Sequence, residues 1–154
     1  MRTRQDKKTT SFLMAALVLL LSCVSMDENL RLAAFNGDSK TAGELVGKGA
    51  DVDGKNKYGN TALMIAAMEG HTKTVKILID AGADVNARNQ GEHTTLMIAA
   101  QLDHIDTVQA LIGAGADVNL KTPGGVTALL IAEDGGHTEI VELLKKAGAR
   151  QPPQ

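Results

Sequence analysis

Tryptophan is absent from the 154-residue chain, and Phe12, Phe35 and Tyr58 are its only aromatic residues. Single-stranded nucleic acids and sugars are gripped largely by stacking on aromatic faces, so nucleic acid is not an expected partner. Nor is there an excess of positive charge. The 16 Lys and Arg against 18 Asp and Glu leave a formal net of -2, too weak a field to draw in a phosphate backbone. The single cysteine, Cys23, cannot close an internal disulfide. G-x-S-x-G, Walker A and G-x-G-x-x-G sequences are all missing, so no nucleophile or phosphate cradle is offered, and a non-catalytic chain without cofactor is expected. Proline is scarce at three residues, and 44% apolar with 22% charged residues is a folding composition rather than a disordered one. The length suits one domain of about 100 to 200 residues, which argues against separate cofactor and substrate lobes.

Charge is uneven along the chain. Arg2, Arg4, Lys7 and Lys8 stand against Asp6 alone, and an uncharged apolar run from Phe12 to Leu21 follows. Ten to thirteen apolar residues span roughly 15 to 20 Å as a helix, short of the roughly 30 Å hydrocarbon core of a bilayer. Residues 1–22 are therefore expected to be a signal peptide rather than a transmembrane anchor. The run closes on Leu20-Leu21-Ser22-Cys23, which resembles the lipobox of bacterial lipoproteins. That resemblance implies cleavage before Cys23 and its acylation, with residues 23–26 as a short lipidated linker. Val24 follows, where inner-membrane retention in enteric-type bacteria mainly needs Asp, so the resemblance implies outer-membrane sorting. Two other readings stay open. Ser25 can end an ordinary signal peptide, leaving a soluble periplasmic protein, or the run can persist as a short anchor. From Cys23 onward 12 basic residues face 17 acidic ones, a net of -5. Such a domain has little attraction for anionic lipid, so an acyl chain would have to hold it at a membrane.

A period of 33 residues governs the rest. Residues 57–89, KYGNTALMIAAMEGHTKTVKILIDAGADVNARN, align without gaps to 90–122, QGEHTTLMIAAQLDHIDTVQALIGAGADVNLKT, and 123–150 continue in register. A degenerate copy occupies 24–56, where Leu30, Ala33, Gly37, Leu45, Gly49, Ala50 and Asp51 precede their counterparts by 33 residues. Each copy holds two short amphipathic stretches. Val75, Leu78 and Ile79 have the i, i+3, i+4 spacing of one helical face, and Val108, Leu111 and Ile112 repeat it. Ala66, Ala67, Ala99 and Ala100 thin the first stretch so that neighbouring helices can approach closely. Gly82, Gly115 and Gly148 sit where a left-handed C-terminal cap favours glycine, and Asp84-Val85-Asn86 and Asp117-Val118-Asn119 supply turn-forming side chains.

TALMIAA, TTLMIAA and TALLIAE, with GADVN after each internal second helix, resemble the ankyrin repeat over nearly the whole length beyond residue 26. The resemblance implies an all-α solenoid of four stacked helix-turn-helix units over residues 27–150, with β-hairpin-like finger loops and a tail at 151–154. The first and last copies are expected to act as caps. Glu133 stands where internal copies have Ala67 and Ala100, and Lys145 where they have Ile79 and Ile112. The family's usual proline is Ala62, Thr95 and Ala128 here, and its histidine is Met64, Met97 and Leu130, which implies apolar packing in place of hydrogen bonds. Glu92 takes the glycine place in one finger, which is expected to bend that finger differently.

His71, His104 and His137 recur every 33 residues, yet equivalent positions in stacked repeats lie on the order of 10 Å apart, too far for one zinc ion. A structural role at the start of each second helix is expected, since Asp38, a good N-cap residue, holds the matching place in the first copy. The Asp-Val-Asn turns lack the glycine and glutamate of a calcium loop, so no metal is expected.

Function is expected on the concave face that stacked repeats present. Carrying the family's variable positions over by offset gives Lys55, Lys57, Tyr58 and Asn60 from the first finger, with Met68 and Glu69 on the helix after it. The next copy supplies Arg88, Gln90 and His93, with Gln101 and Leu102, and the last adds Lys121, Pro123 and Val126. Tyr58 and Arg88 are of the types enriched in binding hot spots, and Met68 with Leu102 is expected to form an exposed apolar centre. Lys55, Lys57 and Lys121 on an acidic domain suggest a partner with local negative charge. The expectation is a monomeric, lipid-tethered module on the envelope side of a bacterial membrane, binding a protein partner. The runner-up is a soluble periplasmic modulator of an envelope enzyme.

Overall fold

The computed structural model describes residues 25–151. The signal peptide assigned to 1–22, Cys23 and Val24 of the linker, and residues 152–154 of the tail lie outside the described residues. Within them the chain forms four helix pairs. These are α1 (Met26–Asn36) with α2 (Ser39–Gly47), α3 (Ala62–Met68) with α4 (Thr72–Asp80), α5 (Thr95–Gln101) with α6 (Ile105–Gly113), and α7 (Ala128–Asp134) with α8 (Thr138–Lys146). First helices pack on first helices (α1, α3, α5, α7) and second helices on second helices (α2, α4, α6, α8), while each pair also packs within itself. The all-helical solenoid of four units follows the sequence reading.

Local chemistry sets the helix starts. Thr61, Thr94 and Thr127 each cap a first helix, their hydroxyls accepting from the backbone N–H of Met64, Met97 and Leu130 at 3.2–3.3 Å. Ser25 does the same for α1 at Glu28 N–H. After each of the last three second helices the chain turns left-handed at glycine, with φ of 89° at Gly82, 84° at Gly115 and 94° at Gly148. The core is a row of equivalent residues. Leu30, Leu63, Leu96 and Leu129 from the first helices, and Val75, Leu78, Val108, Leu111, Ile140 and Leu144 from the second, are almost completely buried. Ala66, Ala67, Ala99 and Ala100 have no exposed surface, as close approach of neighbouring helices requires. Met64 and Met97 are buried where the family's histidine is expected.

The Asp-Val-Asn segments do more than turn. Asp84 and Asp117 accept from the backbone N–H two residues on, at Asn86 and Asn119, as the sequence reading supposes. The second polar residue of each segment, and Asp53 of the matching Asp51-Val52-Asp53 in the first copy, reaches into the next repeat. Asp53 accepts from Asp84 N–H, Asn86 from Asp117 N–H and Asn119 from Arg150 N–H, each at 2.9 Å. A rail of side-chain-to-backbone bonds thus runs along the stack, one rung per junction between repeats.

The finger of the third copy corrects an expectation. It keeps the bend of its neighbours, because Glu92 itself adopts φ 61° where Gly59 and Gly125 adopt 77° and 80°. Asp103 likewise takes φ 58° where Gly37, Gly70 and Gly136 take 70–71°. Both non-glycine residues with positive φ among the described residues therefore fall in one copy. A left-handed residue with a Cβ costs roughly 1 to 2 kcal/mol, partly offset because glycine is more flexible when unfolded. Glu92→Gly is expected to raise stability by up to about 1 kcal/mol, read as a higher urea midpoint at unchanged slope. A lower midpoint would show that the Glu92 side chain contributes more than its backbone costs.

At the last repeat the two residues that mark the cap join each other. Lys145 Nζ lies 3.0 Å from Glu133 Oε1, and the Gln151 side-chain amide donates to Glu133 Oε2 at 2.6 Å. The amide bond first, then the ammonium, hold the Glu133 carboxyl below its ordinary range. A carboxyl lowered by folding adds stability above its unfolded value and loses it as the pH falls through the folded one, so acid releases this contact.

Candidate functional site

The three fingers are tight loops closed by their own asparagine or threonine. Asn56 Oδ1 accepts from Tyr58 and Asn60 N–H, Asn89 Oδ1 from Gly91 and His93 N–H, and Thr122 Oγ1 from Val126 N–H. Two fingers also carry a single antiparallel bridge, Arg88 with Thr94 and Lys121 with Thr127, which makes them hairpin-like without being strands.

Several expected contact residues are engaged in joining these fingers. Lys55 Nζ donates to the carbonyl of Arg88 at 2.9 Å, and one Arg88 guanidinium nitrogen donates to the carbonyl of Lys121 at 3.0 Å. That same nitrogen donates to the Glu92 carbonyl at 3.1 Å and lies 3.5 Å from its carboxylate. Asn60 Oδ1 accepts from the Asn89 side-chain amide, and Gln90 N–H donates to the Tyr58 carbonyl at 3.1 Å. Arg88 is therefore a brace between fingers. The order of the bonds also separates the expected lysine cluster. Lys55 and Lys57 share the first finger, Arg88 lies on the second, and Lys121 lies on the third, on the order of 20 Å along at about 10 Å per repeat.

Met68 corrects a second expectation. It is half-buried, packed on a small cluster of Met64, Ala87 and Ile98, so it does not share an exposed apolar centre with Leu102. Leu102 is 45% exposed and Tyr58 58% exposed, and Lys57 Nζ stands 4.9 Å from the Tyr58 ring centroid, a cation–π distance. Glu69, Gln90, Gln101, Pro123 and Val126 are exposed, and His93 and Asn60 are half-buried in their fingers.

The repeating histidines take the N-cap position of α4, α6 and α8, but none makes a side-chain capping bond. Only Asp38 caps in the expected way, accepting from Thr41 N–H and Thr41 Oγ1. His71 and His104 instead reach back one repeat, where Nε2 meets the carbonyls of Phe35 at 3.0 Å and Met68 at 3.1 Å. Gly37 and Gly70 make room, since a Cβ there would lie within 2.9 Å of the ring that follows. His137 breaks the series because Asp103 fills the corresponding place, and the ring pairs with that carboxylate at 3.3 Å through Nδ1. Among the described residues no group of three His, Cys, Asp or Glu side chains is placed to hold a metal ion, and no helix is long and apolar enough to cross a membrane.

Residues of the first copy, omitted from the expected contact set, complete the surface. Leu32 and Phe35 on α1 are 55% and 53% exposed. With Glu28, Arg31, Lys55, Asn56, Lys57, Tyr58 and Ile65, Leu32 lines a groove of about 750 Å³ between α1, the first finger and α3. The signal was in the sequence. Leu32 stands 33 residues before Ile65, and Ile98 and Ile131 continue the row, but the degeneracy of the first copy obscured it.

Comparison with known proteins agrees with this architecture. The family model described as Ankyrin repeats (3 copies) matches residues 30–122 and again 96–153. No match to the chain is found among curated proteins. Ankyrin repeats imply a protein–protein interaction module, and proteins built from them are generally non-enzymatic. Four helix pairs in one array, bonded finger to finger and turn to turn, together with that match, place this chain in the ankyrin-repeat family.

Proposed function

We propose that the protein is a non-catalytic binding module, tethered by an acyl chain on Cys23 to the envelope side of a bacterial membrane, that holds a protein partner on the face made by its first helices and fingers. The observation that carries the binding part is the exposure of Tyr58, Leu32, Phe35 and Leu102, with Leu32 and Tyr58 lining one groove, on an acidic repeat stack. Large side chains of this kind, left uncovered in a monomer, are what a partner covers, and aromatic anchors contribute disproportionately to affinity. The tether rests on the basic start, the apolar run and the Leu20-Leu21-Ser22-Cys23 ending. Leu21, where the lipoprotein family more often has a small residue or valine, favours the second reading of a soluble periplasmic protein that modulates an envelope enzyme.

Cys23→Ser is the test of the tether. Metabolic labelling with a fatty-acid analogue is expected to mark the unaltered protein, and the variant should lose the label and accumulate as uncleaved precursor. An unlabelled mature protein of the same mass in both cases would favour the soluble reading. The face is tested by envelope cross-linking followed by affinity measurement on the captured neighbour. Tyr58→Ala and Leu102→Ala are each expected to cost about 1 to 3 kcal/mol of binding while moving stability within about 0.5 kcal/mol. Loss of binding only upon substitutions on the outer surfaces of α4 and α6 would move the site to the opposite face.

A further inference from the structure

The binding face differs between its two ends. Toward the first repeat it is apolar, with Leu32, Phe35, Tyr58 and half-buried Ile65 and Met68. Toward the last repeat the places of Phe35 and Met68 are taken by Gln101 and Asp134, carboxylates Asp103 and Glu133 lie nearby in sequence, and Leu102 and Val126 are the exposed large apolar residues that remain. Charge follows the same division. Arg31, Lys55 and Lys57 line the groove beside α1, with Glu28 the one carboxylate among its lining residues. Arg31 donates to the Gly54 carbonyl at 3.2 Å and Lys55 to that of Arg88, so backbone oxygens fix two cations in place without neutralising them. Lys57 is drawn over the Tyr58 ring at 4.9 Å, and none of the three is ion-paired among the described residues.

Three cations without ion pairs among the described residues, against the single carboxylate of Glu28, around an apolar floor on a domain that is otherwise negative, select one kind of occupant. From these observations we infer that the groove takes a protein segment presenting one large apolar side chain, seated against Leu32 and Tyr58, flanked by carboxylates that meet Arg31, Lys55 and Lys57. This deepens the proposed binding function and rests on it, fixing the register at repeats one and two. Its apolar contact supplies affinity by burial, and the flanking charges supply selection against basic segments. A basic segment would meet three like charges, and an acidic one without the apolar residue would find only exposed ion pairs, which contribute little. Carboxylates set at the groove end also position the segment away from Asp103 and Asp134, where like charge repels it.

Selection of random twelve-residue peptides displayed on phage, against the full-length protein, tests this inference. Enriched peptides are expected to combine Leu, Phe or Trp with two or more Asp or Glu. A representative synthetic peptide should bind about tenfold or more weakly to Leu32→Glu and to Lys57→Glu. Its affinity should fall as salt rises. Circular dichroism and thermal melts of both variants, exposed at the changed positions, should match the unaltered protein. Enrichment of basic or uncharged peptides would overturn the inference. So would peptides whose binding survives Leu32→Glu and Lys57→Glu but fails in Leu102→Ala, an outcome that leaves the binding face standing and moves its register. A chain that binds phosphatidylglycerol vesicles through Leu32, and no acidic peptide, would make the groove a lipid contact.

Discussion

Replacing Leu111 by alanine is expected to cost about 2 to 5 kcal/mol of stability, a large share of the roughly 5 to 15 kcal/mol that holds a domain together. Leu111 has no exposed surface and sits in α6, packed between α4 and α8 in the row of second helices. Removing three carbons there withdraws apolar area and leaves a cavity that rigid neighbours on two sides cannot close. Position in the array adds to the effect. Each repeat contacts only its neighbours, so weakening an internal interface separates the stack into halves that unfold at different denaturant concentrations. Chemical denaturation followed by circular dichroism should show a lower midpoint and a broadened or two-step transition. Leu102→Ala, on the exposed face, provides the contrast and should shift the midpoint by less than about 0.5 kcal/mol. Equal losses from both would mean that burial does not govern stability here.

Gly59→Ala is expected to destabilise by about 2 kcal/mol or more, whereas Gly125→Ala, the same position in the last finger, should cost up to about 1 kcal/mol once the unfolded-state flexibility of glycine is set against the left-handed strain. Both glycines are left-handed, at φ 77° and 80°, so both pay for a Cβ in that region. Their surroundings differ. A Cβ on Gly59 would lie 2.6 Å from the backbone nitrogen of Gln90 and 3.1 Å from the backbone of Asn89, while around Gly125 nothing lies within 4 Å. Backbone cannot step aside as a side chain can. The second finger must move away, weakening the Gln90 N–H to Tyr58 carbonyl bond and the Asn60 to Asn89 contact with it. The difference between the two variants, taken from their urea midpoints, therefore measures finger-to-finger packing separately from backbone strain. Identical losses would show that the fingers contribute no measurable coupling. Because Tyr58 adjoins Gly59, the variant should also weaken partner binding, as Gly125→Ala should not.

The sequence by itself determined what depends on periodicity and on preferences repeated in every copy. A 33-residue period, an i, i+3, i+4 row in the internal second helices and glycines after each second helix specify four helix pairs stacked in one direction. These are local or strictly repeated features, and a repeat that cannot bury its apolar side alone has only its neighbour to bury it against. Only the tertiary structure decided which polar groups meet across repeats, since those partners lie 29 to 36 residues apart and depend on how closely adjacent turns approach. Thus Asn86 reads as a turn former but bonds the next turn's Asp117 N–H, and His104 reads as a cap but reaches the carbonyl of Met68. Arg88 reads as a hot-spot type and proves to be a brace, and Met68 reads as surface yet rests against the cluster of Met64, Ala87 and Ile98. A family offset says where a side chain begins on the backbone. What it touches is decided by the neighbouring repeat, whose carbonyls, missing Cβ atoms and bulk fix how much of that side chain remains for a partner.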